Sequence, residues 1–202
     1  MLARTQKPVV FLFALAPAGW LAWRTLHDAL GVNPVEELEL TTGIWAYRFL
    51  LLSLAITPLR RLSGWNTLIR FRRMLGLFAF AYATAHLLIY VVVDQGLAFK
   101  YIVEDVAKRR FITAGMVAFV LLVPLAITST KGWIRRLGRR WQSLHRLVYF
   151  SAAAAALHFI WKVKVAVGEP VYYAAILAIL LGVRLLWRRR PLTAPRRQPA
   201  QA

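Results

Sequence analysis

Apolar residues occur along the chain in six long runs that short polar segments separate. Each run has about the 20 residues that an α-helix needs to cross the hydrocarbon core of a membrane. The runs cover residues 8–27, 41–59, 74–93, 111–128, 144–162 and 171–187. This pattern predicts an all-α integral membrane protein whose single domain, 8–187, is a bundle of six transmembrane helices. No internal repeat or heptad pattern is apparent.

The two ends differ from the bundle in composition. Residues 1–7 form a short basic N-terminus, and residues 188–202, rich in arginine and proline, predict a disordered basic tail. The first run begins like a secretory signal peptide, with basic residues followed by apolar ones. It continues to Trp23 without a polar break, so we predict a retained helix. Cleavage would leave the orientation of the other five spans unchanged.

Composition supports a membrane protein and excludes several kinds of site. Of the 202 residues, 59% are hydrophobic, which is too many for an ordinary soluble domain. The chain has no cysteine, so disulfides, iron–sulfur clusters, thiolate zinc sites and cysteine nucleophiles are excluded. The formal net charge of +19 indicates either nucleic-acid binding or the loop charges that orient a membrane protein.

The positions of the charges decide between these explanations. If both termini are cytoplasmic, the cytoplasmic segments are the two ends and the loops 60–73 and 129–143, which hold 17 of the 27 Lys and Arg residues. All eight acidic residues then fall in the outer segments. The positive-inside rule therefore predicts this orientation, and the basic loops contact lipid head groups rather than nucleic acid.

Few side chains with useful chemistry fall inside the predicted spans, where ionisable groups cost free energy and usually have a function. They are Arg48 in the second span, His86 in the third, and His145 and His158 in the fifth. His27 lies at the outer end of the first span and is predicted to be an interfacial histidine.

Depth in the membrane pairs His86 with His158. At 1.5 Å per residue, His86 lies roughly 18 Å along its outward-running helix and His158 roughly 21 Å along its own. Two neutral imidazoles from different helices, with no carboxylate in the membrane, suit the axial ligation of a heme iron. A proton relay would lack an acidic partner, and zinc would lack further ligands. Polar histidines that only pack in the bundle are the alternative.

Arg48 and His145 each have two interpretations. Arg48 lies about 10 Å below the outer surface, so its guanidinium would pair with a heme propionate or reach the outer head groups. His145 lies at the inner end of the fifth span, about 140° around the helix from His158. It would ligate a second heme with an unidentified partner, or bond a quinone, flavin or lipid head group at the interface. We favour the interfacial role.

Several multi-residue motifs resemble the ferric-reductase-like transmembrane family. They are GVNPVEELELTTGIWAYRFLLLSLAITPLRR (31–61), RRMLGLFAFAYATAHLLIY (72–90), TSTKGWIRRLGRRWQSLHRLVYF (128–150) and LHFIW (157–161). The resemblance covers roughly residues 10–187. It implies a six-helix b-type cytochrome of the bacterial inner membrane, with heme between the third and fifth helices.

The resemblance also implies a function and a partner. The bacterial members that these motifs resemble most pass electrons from the respiratory quinone pool, or from a flavin reductase, to a periplasmic molybdenum-containing enzyme that reduces methionine sulfoxide in oxidised proteins. The implied cofactors are heme b and FMN. The chain would then form a heterodimer with the molybdoenzyme and act as its electron-transfer subunit, not as the catalytic subunit.

Carried over residue by residue, the resemblance assigns heme-ligand positions to His86, His158 and His145. Two-heme relatives have another histidine earlier on the third helix, where this chain has Arg72. That departure argues against a second complete bis-histidine site and makes Arg72 a candidate cofactor-binding residue. The basic loops 60–73 and 129–143 would hold a flavin phosphate, or act only as topology signals.

Other functions stay open from the sequence. Neither a GxGxxG motif nor a P-loop occurs, so the chain contains no nucleotide-binding domain and cannot take hydride from NAD(P)H unaided. One alternative is a generic quinone- or flavin-linked ferric or heme reductase. Another is a non-redox membrane transporter or scaffold whose histidines pack or bind substrate.

Overall fold

The computed structural model describes residues 2–163 and 168–189, with side chains described for residues 6–163 and 168–187. Long helices dominate these residues, and no strand occurs among them. The helices are α1 (Leu2–Leu26), α2 (Pro34–Ser63), α3 (Ile69–Leu88), α4 (Phe99–Lys108), α5 (Arg110–Ile127), α6 (Lys131–Leu137), α7 (Arg139–Leu144), α8 (Leu147–Lys162) and α9 (Glu169–Arg189). A 3₁₀ turn, Asn66–Leu68, precedes α3, and a π-helical turn, Ile89–Asp94, extends it.

Five segments of the described chain are long and apolar enough to cross a membrane. They are Gln6–Leu26, Pro34–Ser63, Asn66–Asp94, Arg110–Ile127 and Glu169–Trp187. The predicted fifth span, 144–162, contains α8, which has 16 residues and is shorter than the usual span of about 20. It is shorter because the chain turns at His145 and Arg146, whose N–H groups bond back to Trp141 and Ser143. The all-α membrane fold is confirmed, and the count of six spans stays a prediction.

Several helices extend beyond the predicted spans. α1 begins at Leu2, inside the predicted N-terminal segment 1–7, and α9 ends at Arg189, just inside the predicted tail 188–202. The rest of that tail lies outside the described residues. α2 begins at Pro34, well before residue 41, because Asn33 caps it by accepting the N–H of Glu36 and proline is favoured in the first turn.

Two helix pairs form the centre of the bundle. α2 packs along α3, and α5 packs along α8, while α9 contacts both α2 and α8. Ser53 of α2 donates to the carbonyl of Arg72 (2.9 Å), and Ser151 of α8 donates to the carbonyl of Ala118 (2.8 Å). Small residues such as these let helix backbones approach closely in a membrane. The N-terminal parts of α2 and α5 and the C-terminal parts of α3 and α8 surround one cavity.

Tyr82 of α3 connects the first helix to this centre. Pro17 interrupts α1, because proline has no N–H to donate and its ring crowds the preceding turn. The buried Tyr82 hydroxyl donates to the carbonyl of Ala14 (2.9 Å) and accepts the N–H of Ala18 (2.9 Å). It therefore lies between two groups that an uninterrupted helix would bond directly. Both groups are satisfied inside the protein, as a membrane environment requires.

Replacing Tyr82 with phenylalanine is expected to destabilise the protein by about 1–3 kcal/mol, because two buried backbone groups lose their partner. Thermal unfolding of the detergent-solubilised protein measures the effect. Tyr101→Phe is the control, since that side chain is exposed on α4. Equal unfolding temperatures for Tyr82→Phe and Tyr101→Phe would contradict the bridging role.

Candidate functional site

A cavity of about 440 Å³ lies between α2, α3, α5 and α8. Its volume falls within the range of about 300–1,000 Å³ that is usual for cofactor and ligand pockets. His86 of α3 and His158 of α8 both line it. The structure therefore brings together the two histidines that depth along the sequence pairs.

Both imidazoles bond a helix carbonyl through the same ring nitrogen. Nδ1 of His86 lies 2.9 Å from the carbonyl oxygen of Glu39, and Nδ1 of His158 lies 2.6 Å from that of Phe111. A carbonyl can only accept, so each Nδ1 carries the hydrogen and donates it. In a neutral imidazole the Nε2 lone pair is then free. This is the form in which histidine binds a metal while a carbonyl fixes its orientation.

The spacing of the two rings fits an iron held between them. The ring centres of His86 and His158 are 6.0 Å apart, and the ring planes are inclined by 76°. A metal ion bound to two imidazole nitrogens at about 2 Å each places the ring centres roughly 6 Å apart. The donor set, the cavity volume and this spacing all suit a bis-histidine heme iron.

Two glycines that the sequence analysis did not single out, Gly43 and Gly115, line the same cavity. The signal that could have found them is short. LTTGIWA (40–46) and ITAGMVA (112–118) have Thr, Gly and Ala at the same relative positions. The shared residues are three of seven, so the two segments resemble each other only locally.

One end of the cavity is lined by five charged side chains and one amide. We call these residues the polar mouth, and they are Asn33, Glu36, Glu39, Asp94, Arg109 and Lys162. The expectation that no carboxylate lies in a span is wrong, because Glu36, Glu39 and Asp94 fall within candidate spans and line the cavity. Because the Asn33 cap starts α2 early, Glu39 lies within that helix. One of its oxygens, Oε1, is buried and has no hydrogen-bond partner among the described residues. The capping sequence NPVEE was the signal that the helix begins there.

Arg48 does not line this cavity. Its Nε donates to the Tyr173 hydroxyl (2.7 Å), and its guanidinium carbon lies 4.9 Å from the centre of the Trp45 ring. These contacts hold Arg48 between α2 and α9. The propionate role for Arg48 stays a prediction, while the basic side chains at the polar mouth are Arg109 and Lys162.

His145 lies at the other end of α8 from His158 and does not line the cavity. Its Nε2 is 3.1 Å from the Thr128 hydroxyl, whose hydrogen points to the carbonyl of Pro124 at 2.6 Å. The hydroxyl therefore accepts from Nε2, so His145 has the opposite tautomer to the cavity histidines. Its ring stacks on Trp141 with centres 3.9 Å apart, and the charge of Arg72 acts on it electrostatically.

Comparison with known proteins shows which chains this one resembles. Three similar proteins are each described as protein-methionine-sulfoxide reductase heme-binding subunit MsrQ. The protein from Xanthomonas oryzae pv. oryzae (strain MAFF 311018) is 51% identical over 97% of this chain and 94% of its own length. The one from Xanthomonas campestris pv. campestris (strain 8004) is 52% identical, covering 93% and 87%. The one from Herminiimonas arsenicoxydans is 52% identical, covering 90% and 84%.

No solved structure matches the chain. Residues 42–156 match a family described as the ferric reductase like transmembrane component. This range includes His86 and both cavity glycines and ends just before His158, which the full-length relatives cover. With more than half of the chain matched, and with relatives about 50% identical over nearly its whole length, the chain belongs to the ferric reductase like transmembrane component family.

Proposed function

We propose that the chain is the b-type cytochrome subunit of a methionine sulfoxide repair system in the bacterial inner membrane. It passes electrons from the quinone pool or a flavin reductase to a periplasmic molybdoenzyme of the MsrP type. The observation that carries the proposal is the pair of imidazoles in one cavity, each with Nδ1 bound to a carbonyl and Nε2 free. The relatives' name, which specifies heme binding and protein-methionine-sulfoxide reductase, supports both cofactor and reaction.

His86 and His158 would hold the heme between α3 and α8, the proposed third and fifth spans. When bound, such a heme supplies a centre that accepts and releases one electron at a time. The carbonyl bonds orient both rings and raise the basicity of the free nitrogens. The apolar side chains that would pack against a bound heme include Leu40, Ile44, Met116, Phe119 and Leu122. Lys162 and Arg109, which also pairs with Asp105 (3.1 Å), would provide cations for heme propionates.

The proposed topology has six spans with both termini in the cytoplasm. α8 is the short member, with Arg146 just before it and Lys162 as its last residue. Long basic side chains reach the interface from the ends of a short helix, which lets 16 residues serve as a span. In this orientation the polar mouth faces the periplasm. A heme there lies near the molybdoenzyme, and the acidic outer segments would steer a partner with complementary charge.

Electrons would enter from the cytoplasmic side of the bundle. His145, Arg72 and the loops 60–73 and 129–143 lie on that side in the proposed topology. The Arg and Lys side chains there would bind the phosphate of FMN, or the lipid head groups around a bound quinone. The family resemblance and this positive charge support a bound FMN.

The proposal is tested with protein purified from heme-replete cells and reduced with dithionite. We expect a Soret band and a sharp α band. The α band should disappear, as the heme is reoxidised, when an MsrP-type partner and an oxidised protein substrate are added. A colourless preparation would refute the cytochrome assignment. A coloured protein that the partner and substrate cannot reoxidise would indicate a generic quinone- or flavin-linked reductase instead.

A further inference from the structure

The ring of His158 lies unusually close to the backbone of α5. A Cβ atom added to Gly115 would lie 2.7 Å from Nδ1 and 3.0 Å from Cε1 of this ring. Carbon atoms do not approach so closely, and the ring cannot retreat without losing its 2.6 Å bond to the carbonyl of Phe111. The position of His158 therefore requires a residue without a side chain at 115.

His86 has the same arrangement against α2. A Cβ atom added to Gly43 would lie 3.2 Å from both Nδ1 and Cε1 of its ring. The ring also bonds the carbonyl of Glu39, which is one helical turn before Gly43. This fit is tight but looser than the one at Gly115, so a small shift of the ring would accommodate a methyl group.

The two arrangements repeat one three-part unit, a carbonyl, a glycine one turn later and a histidine from the neighbouring helix. Each histidine follows its carbonyl residue by 47 positions in the sequence. The first unit belongs to the α2–α3 pair and the second to the α5–α8 pair. Two separate helix pairs therefore present an imidazole to the cavity through the same contacts.

Glycine in a helix interior has a cost, because it lowers helix stability relative to alanine. Gly43 and Gly115 both lie inside long helices. By contrast, a Cβ atom on Gly182 of α9 would meet no atom within 4 Å. Gly43 and Gly115 thus differ from the other glycines in the described helices, because only these two face an imidazole ring directly.

We propose that Gly43 and Gly115 are positioning residues for heme ligation. Each lets its imidazole reach a helix carbonyl, which fixes the Nδ1–H tautomer and keeps the Nε2 lone pair available to the iron. This inference rests on the proposed heme site at His86 and His158. Because the orientation and basicity of the ligands tune a heme iron, the glycines also set its reduction potential.

The test compares Gly115→Ala, Gly43→Ala and the control Gly182→Ala in the full-length protein. For each we measure the heme-to-protein ratio, the low-spin signal in electron paramagnetic resonance and the reduction potential. Gly115→Ala is expected to weaken heme retention by about 10- to 100-fold, the usual effect of disturbing the groups that orient a metal ligand. It should also convert remaining heme from low spin to high spin, because His158 is displaced.

Gly43→Ala is expected to keep most of its heme and to shift both the low-spin signal and the reduction potential, while Gly182→Ala matches the unmodified protein. Alanine favours the helix at all three positions, so circular dichroism should show unchanged helix content. Unchanged spectra and potentials in Gly43→Ala and Gly115→Ala would overturn the inference while leaving the heme proposal intact. If Gly115→Ala does not fold, the spectrum and potential of Gly43→Ala decide. Absence of heme from the unmodified protein would overturn the proposed function itself.

Discussion

Replacing either His86 or His158 with alanine is expected to abolish stable heme binding, whereas His145→Ala leaves most of the heme in place. The two cavity histidines have their Nδ1 atoms bound to carbonyls and their Nε2 atoms free. On the proposed ligation, removing one would leave a heme iron with a single protein ligand where two imidazoles now lie 6.0 Å apart. His145 contacts Thr128 and Trp141 outside this cavity.

The measurement is the ratio of heme to protein, determined as the pyridine hemochrome, together with the α band after reduction. We expect a loss of at least about tenfold for His86→Ala and for His158→Ala. His27→Ala is the matched control, because His27 is exposed and stacks on Trp23. Equal heme loss in the His145 variant would show that this residue also ligates heme, and normal heme in both cavity variants would refute the site.

Enlarging Ala152 to leucine is expected to disrupt the bundle at the face of α8 that supports the site. Ala152 has 0% of its surface exposed, and the adjacent Ser151 bonds the carbonyl of Ala118 on α5. Extra methylene groups in such a close-packed position force neighbouring side chains and helices apart, at a cost of about 1–3 kcal/mol or more. Because α5 and α8 carry one wall of the cavity, displacement of these helices should also lower heme occupancy.

Ala153→Leu provides the matched control for this change. It makes the same substitution one residue away, where the side chain is exposed on the outside of α8. The unfolding temperature in detergent and the heme-to-protein ratio should both fall in the Ala152 variant. Both should stay unchanged in the Ala153 variant. Equal behaviour of the two variants would mean that the alanine-rich stretch has no packing role.

The sequence predicted the class of fold because membrane spans leave a strong one-dimensional signal. Long apolar runs identified each long helix, and α8 departs from the pattern only in its length. Helix starts were less accurate, since the cap at Asn33 extends α2 into residues that looked like a polar loop. The family match over residues 42–156 confirmed the resemblance. The sequence could predict it because its motifs are continuous along the chain.

The chemistry of the site depended on the tertiary structure for a different reason. Depth along two helices was enough to pair His86 with His158 and to separate His145 from them. It did not show that Arg48 would bond Tyr173 of α9, because that contact joins residues 125 positions apart.

Thus the sequence by itself determined the long apolar helices, the family and the candidate pair of histidines. Each of these follows from apolar length, residue type or spacing within one helix. Only the packing of α2 on α3 and of α5 on α8 decided which nitrogen of each histidine is free and how closely the rings lie against Gly43 and Gly115. The physical reason is that a tautomer and a close approach are set by the atom across the interface, which no local pattern records.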